Sequence, residues 1–123
     1  MKKLLAIAAL ALVTAGCYND KYDKLYPVGS VVCDTTTVSY TTDVKPILDA
    51  KCATAGCHDA GTGAGGYNFA THATTQPSAK NGKLVGTVNW TAGFSAMPKN
   101  QPKLSQCEIN KITRWANQGA LNN

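Results

Sequence analysis

Two cysteines and a histidine stand together in the middle of the chain, in the order Cys52, Cys57, His58. Two thiols can add across the two vinyl groups on one edge of a porphyrin, and an imidazole directly after the second thiol can reach the iron from one face. Four small residues separate the cysteines, where the common spacing has two, and they allow the longer loop to bulge outward. The pattern therefore predicts covalent attachment of one c-type haem.

The same side chains allow two other arrangements. Cys52, Cys57 and His58, with or without His72, could bind zinc, which takes sulfur and nitrogen ligands. Cys52 and Cys57 could also form a disulfide with each other. Either arrangement would make the chain a metal- or disulfide-stapled binding module without haem. The order of the motif residues, and a methionine–proline pair farther along the chain, favour haem over both.

A short helix is expected immediately before the motif. Val44, Ile47 and Leu48 recur at helical spacing and predict a helix over 43–51 that leads into the first cysteine. After the motif, residues 59–68 form a glycine-dense loop that matches no phosphate-binding pattern and is interpreted as a flexible wrap.

The remaining elements indicate a mainly α fold with long loops. Residues 35–40 are rich in β-branched side chains and suggest a short extended segment. Threonines and a proline weaken a second helix expected over 71–80. Ser105 and Glu108 form a capping box, and the apolar residues that follow them at helical spacing predict a helix over 105–118.

The N-terminal residues predict export. Two lysines and then an unbroken apolar run make residues 1–16 a signal peptide, too short in its apolar part to span a bilayer. The small residues before Cys17 resemble the lipobox of bacterial lipoproteins, in which the cysteine is acylated; an ordinary signal peptide cut near Ala15 is the alternative. The prediction is a lipidated tether at 17–32, a folded domain at 33–123, and a periplasmic, outer-membrane or cell-surface location.

These features together resemble the cytochrome c family, in particular small monohaem c-type lipoproteins of Bacteroidetes-like bacteria. The resemblance covers about residues 33–122, most of the mature chain. Besides the haem motif, it is carried by four segments: Pro46-Ile47-Leu48, Gly82-Lys83-Leu84, Met97-Pro98 and Lys103-Leu104-Ser105-Gln106-Cys107.

The resemblance implies a small class I cytochrome c-like fold, with the N- and C-terminal helices packed around one covalent haem c. It implies His58 as the proximal iron ligand and Met97 as the distal one; Met97 is also the sole methionine outside the predicted signal peptide. Ligation by His72 is the alternative. Cys33 and Cys107 then remain, and an even remainder in an oxidising compartment predicts a disulfide.

The predicted haem and its two iron ligands imply electron transfer as the function. Iron with two protein ligands leaves no position for a substrate, so we expect neither an enzyme nor a small-molecule ligand. Lysines such as Lys51, Lys99 and Lys103 could orient an acidic redox partner, whereas a net charge of +5 spread along the chain is too small for nucleic-acid binding. If Met97 is loosely held, a haem sensor or a peroxidase-like activity is the alternative.

Overall fold

Helices account for all the regular structure in the part of the chain that the structure, a computed structural model, describes: residues 33–123. The predicted signal peptide, the lipidation site Cys17 and the tether at 17–32 lie outside the described residues. The prediction of a mainly α class is confirmed. None of the described helices is long and apolar enough to cross a membrane.

The first helical segment begins with a π-helical turn, Tyr40–Val44, and continues as α1, Lys45–Lys51. Ser39 starts it, because its side-chain oxygen accepts the backbone N–H of Thr42. The helix expected over 43–51 is therefore present and starts earlier than the periodicity indicated. The extended segment expected just before it is irregular chain, since the described residues contain no strand with which it could pair.

Two short helices follow the glycine-dense loop, which itself contains one 3-10 turn at Ala64–Gly66. Helix α2, His72–Lys80, starts with a reciprocal cap between Thr71 and Thr74, and this cap offsets the proline near its end. Helix α3, Lys83–Asn89, was not predicted. Its valine, threonine and glycine are poor helix formers, and the burial of Leu84 and Val88 one turn apart stabilises it.

The last helix, α4, spans Gln106–Asn117 and is the centre of the packing. The predicted capping box is present, with Ser105 and Glu108 each accepting the other's backbone N–H. Helix α4 contacts the π-helical turn, α2 and α3. Its buried face consists of Ile109, Ile112 and Trp115. The indole of Trp115 lies 5.2 Å from the ring of Tyr40, centroid to centroid, so the first and last helical segments share one core.

Two side-chain links join the beginning of the described chain to this last helix. Cys33 and Cys107 form a disulfide across 74 residues. Lys111 donates to Asp43 at 2.8 Å, and both side chains are partly buried. The ion pair thus ties α4 to the first helical segment, and the disulfide ties α4 to the chain that precedes that segment.

The last residue of the chain also contacts the start of the first helical segment. The backbone oxygen of Asn123 accepts the N–H of Thr41 and the hydroxyl of Ser39, both at 2.9 Å. Its side-chain oxygen accepts the N–H of Tyr40 at 2.8 Å. Asn123 thus supplies acceptors for the N–H groups that a helix start leaves unpaired.

Candidate functional site

One cavity of about 1050 Å³ brings together the residues singled out for chemistry. Cys52, Cys57, His58 and Met97 all line it, although Met97 lies far from the other three in sequence. Its apolar wall is formed by side chains from the loop after the motif, from α3 and from the segment before α4: Phe69, Leu84, Val88, Phe94 and Leu104. The fold therefore places two thiols, an imidazole and a thioether around a single apolar space.

The widened loop between the cysteines is closed by its own backbone. Cys52 ends α1, and the N–H of His58 donates to the carbonyl of Cys52 at 3.1 Å. Within the loop, Cys57 donates to Thr54 at 2.9 Å. Gly56 has φ +80°, a left-handed conformation that favours glycine. The four residues between the cysteines, two more than in the common spacing, thus form a compact bulge, and the second cysteine and the histidine both line the cavity.

Asp59 holds this bulge from outside and was missed by the sequence reasoning. Its two carboxylate oxygens accept the backbone N–H groups of Gly56, Gly61 and Thr62, at 2.9, 2.7 and 2.8 Å. These hydrogen bonds, first those from Thr62 and Gly61, lower the pKa of Asp59. The sequence does contain a sign of this role. An aspartate directly after the motif, with glycine and threonine two and three residues later, is a pattern typical of Asx turns.

His58 is oriented by a backbone carbonyl. Its Nδ1 lies 3.1 Å from the carbonyl oxygen of Tyr67, and because a carbonyl only accepts, Nδ1 carries the proton. In the neutral ring Nε2 is then the nitrogen with a free lone pair. The ring packs on Phe69, with centroids 4.8 Å apart. Metal-binding histidines use this arrangement: one ring nitrogen donates a hydrogen bond while the other binds the metal.

The two thiols of the motif differ in exposure. Cys52 is buried, whereas Cys57 is exposed, and they do not form a disulfide with each other. Burial, with smaller contributions from the charges of Cys57 and Glu108, raises the pKa of Cys52 to about 11. Cys52 is therefore a protonated thiol at neutral pH.

Met97 is fixed at both of its peptide groups. Its N–H donates to the carbonyl of Thr87 at 3.1 Å, and its carbonyl accepts the indole N–H of Trp90 at 2.8 Å. Phe94 lies against the cavity and over Gly86, where any Cβ would stand 2.7 Å from the ring. Phe94 thus lines the cavity, while Trp90 contacts the backbone of Met97.

His72, the alternative iron ligand, lies elsewhere. Its Nε2 is 2.9 Å from the carbonyl oxygen of Ala120, and its ring packs edge-on against Tyr40 and Trp115. It does not line the cavity. The structure therefore does not bring His72 to the other three motif residues. Trp115 packs on Tyr40 of the first helical segment and does not line the cavity either.

Within residues 33–123, no three side chains of His, Cys, Asp or Glu converge as a group that could hold a metal ion by themselves. Comparisons with protein-family models, with curated proteins and with solved structures returned no match.

The charged residues that line the cavity are mainly basic. They are four lysines and one glutamate: Lys51, Lys83, Lys99, Lys103 and Glu108. The ammonium of Lys83 donates to the hydroxyl of Tyr67 at 2.7 Å, while that of Lys103 lies 5.8 Å from the ring centroid of Trp90. The lining of the cavity thus carries a net positive charge, a property that attracts acidic groups.

Proposed function

We propose that this chain is an exported, lipid-anchored electron-transfer protein, a monohaem cytochrome c with haem c attached at Cys52 and Cys57. His58 and Met97 would bind its iron. The observation that carries the proposal is the convergence of these four residues on one cavity, with the Nδ1 of His58 hydrogen-bonded to a carbonyl. A core-filling role for Met97 would not require it to meet the motif residues there.

The cavity and its donors fit a haem on three grounds. The space is about 1050 Å³, at the upper end of the range for small-molecule and cofactor sites. Its wall combines aliphatic and aromatic side chains, which suit a flat apolar macrocycle. The donor set of one imidazole and one thioether is the pair that cytochromes c use. A bound haem would supply one-electron chemistry through its iron, with a potential raised by a methionine ligand.

The thiols of Cys52 and Cys57 are the groups that would hold the haem covalently. Each S–H would add across one vinyl double bond, with the sulfur bonding to one carbon and the hydrogen going to the other. Such an addition expels no group and consumes no oxidant or reductant.

His58 and Met97 would both bind the iron, which would leave it no free position for a small molecule, and we propose no enzymatic activity. The aromatic rings of Phe69 and Phe94 line the same cavity. The role left to the protein is to hold both ligands in place while an electron enters and leaves.

The partners are proposed from charge and compartment. The lysines that line the cavity favour the approach of an acidic redox protein. The Cys33–Cys107 disulfide suits an oxidising compartment, in line with the predicted signal peptide. Lipidation at Cys17 would place the domain at the periplasmic face of a membrane or at the cell surface.

A stapled binding module without haem is less well supported. Cys52 and Cys57 are not joined to each other in the structure, and among the described residues they do not form, with His58 or another such side chain, a group that could hold a metal ion by itself. His72, which the zinc alternative could recruit, is turned toward Ala120.

Intact-mass measurement tests the proposal. We would express the chain with a cytochrome maturation system and weigh the denatured protein. Because addition to vinyl groups expels nothing, the expected gain is the full mass of one haem, and it should survive acid and denaturant. A Cys52→Ala, Cys57→Ala double variant should lose this gain, while a Cys33→Ser, Cys107→Ser double variant should keep it. A mass without haem would refute the proposal and favour the binding module.

A further inference from the structure

Trp90 adopts a backbone conformation that side chains disfavour. It closes α3 with φ 59° and ψ 38°, in the left-handed region where a Cβ crowds the following carbonyl oxygen. Glycine usually occupies such a helix end. A residue with a large side chain persists there only when other contacts hold it.

The contact that holds Trp90 leads to Met97. The indole Nε1–H donates to the carbonyl of Met97 at 2.8 Å, and the N–H of Met97 donates to Thr87, in the last turn of α3, at 3.1 Å. Both peptide groups of Met97 are therefore tied to the end of one helix. The indole itself is 43% exposed and does not line the cavity, so it has no direct contact with the space where a cofactor would lie.

We propose that Trp90 is a positioning residue for Met97: its indole N–H fixes the backbone that carries the distal sulfur. This inference rests on the proposed function. The strained backbone aims the indole at the Met97 carbonyl, and that hydrogen bond retains the segment 97–98 against α3. The resistance of the Met97 sulfur to displacement by another ligand then depends on Trp90, which does not line the cavity and contacts Met97 at its backbone carbonyl.

Trp90→Phe tests this proposal, because phenylalanine keeps a ring and the same backbone strain but has no N–H to donate. Trp115→Phe is the matched control: the indole of Trp115 also donates to a backbone carbonyl, that of Leu121 at 2.8 Å, but far from Met97 in sequence. Both variants are purified in the haem-bound form and titrated with imidazole, which competes with Met97 for ferric iron. The readout is the loss of the sulfur-to-iron absorption at the red end of the visible spectrum.

The expected result is that Trp90→Phe binds imidazole about tenfold more tightly than wild type, the effect of one lost hydrogen bond. Trp115→Phe should match wild type, even though it removes a fully buried indole and lowers the melting temperature more. Equal imidazole affinities for Trp90→Phe and wild type would overturn the positioning role.

A second measurement keeps this result separate from the proposed function. Exchange of the Met97 amide hydrogen, followed by NMR, does not require haem, and it should be about tenfold faster in Trp90→Phe than in wild type and in Trp115→Phe. Unchanged exchange would show that the indole does not hold this segment. A protein without covalent haem would refute the proposed function, and the exchange rates would still decide whether Trp90 holds Met97.

Discussion

His58 has one ring nitrogen committed to a hydrogen bond and one free, and the carbonyl of Tyr67 determines which is which. A histidine in a turn without such a partner would exchange between two tautomers and turn about its side-chain bonds. Here the ring is also held by Phe69. Only the residue type and its place after Cys57 are visible in the sequence, whereas its orientation depends on a loop nine residues farther along.

Met97→Ala should remove the sulfur-to-iron absorption at the red end of the visible spectrum while leaving covalent haem in place. The reason is that the variant deletes the sole thioether that lines the cavity but neither thiol. His72→Ala is the control: it should keep this absorption and lose about 1 kcal/mol of stability, since it breaks a hydrogen bond to Ala120. A spectrum that survives Met97→Ala would exclude Met97 as a ligand.

Asp59→Ala should loosen the widened motif loop. The variant removes the acceptor for three backbone N–H groups, so the amides of Gly61 and Thr62 should exchange with solvent about tenfold faster, and less of the protein should carry haem. Asp34→Ala is a suitable control because Asp34 accepts a backbone N–H in another loop, that of Thr36 at 2.8 Å. Unchanged exchange at Gly61 and Thr62 would show that the bulge is held by its own backbone alone.

At the level of secondary-structure elements, the middle of α3 requires a residue without a side chain. Gly86 leaves space for the ring of Phe94, which would stand 2.7 Å from any Cβ at that position. Phe94 in turn forms part of the cavity wall. A helix that the sequence pattern did not reveal therefore carries one wall of the site.

Gly86→Ala should displace Phe94 and destabilise the fold by about 1–3 kcal/mol, the usual cost of overpacking. This loss should exceed the small gain that alanine brings to a helix. The double variant Gly86→Ala, Phe94→Ala should lose less stability than the two single variants lose in sum. A double-mutant cycle in denaturant measures this difference. Simple additivity of the two substitutions would show that the ring and the glycine do not interact.

The Asp43–Lys111 pair should make stability depend on pH below the neutral range. A hydrogen bond from Lys111, and then one from the backbone of Ser39, hold the pKa of Asp43 below its ordinary value of 3.8. A lowered folded-state pKa stabilises the protein fully above the ordinary value, and this contribution is lost as the pH falls through the folded-state pKa. Asp43→Asn should therefore cost about 1 kcal/mol at pH 7 and less in strong acid.

Unfolding in urea at several pH values checks this difference. Asp49→Asn is the control, because Asp49 forms a more exposed pair with Lys45 within one helix, which is worth about 0.3 kcal/mol. A constant gap between wild type and Asp43→Asn from neutral pH to strong acid would contradict the linkage.

The elements that the sequence predicted are those with local determinants. Helix α4 has a capping box and an apolar face, and both features act within a few residues. Helix α3 has neither; it forms because Leu84 and Val88 are buried by residues distant in sequence. The same division holds in the site. The motif can be recognised in the sequence, but the N–H groups that donate to Asp59 and the hydrogen bond from Trp90 depend on how the loops fold.

For the whole molecule, the Cys33–Cys107 disulfide should dominate stability. It closes a loop of 74 residues, which in the chain-entropy model contributes about 4 kcal/mol. The variant Cys33→Ser, Cys107→Ser should therefore unfold at a lower urea concentration but retain covalent haem, because neither residue lines the cavity. Loss of haem from this variant would mean that the cysteines have been assigned to the wrong roles.

Asn123 supplies acceptors to the first helical segment, but it is synthesised long after that segment. A chain is made from its N-terminus, so the motif at 52–58 is complete while helix α4 and Asn123 have yet to follow. During that interval the first helical segment lacks its last caps and Cys33 lacks its partner, and the two motif thiols have no closed core around them. If the chain carries the haem that we propose, attachment during that interval would precede the docking of α4, and α4 would then close the core over the product.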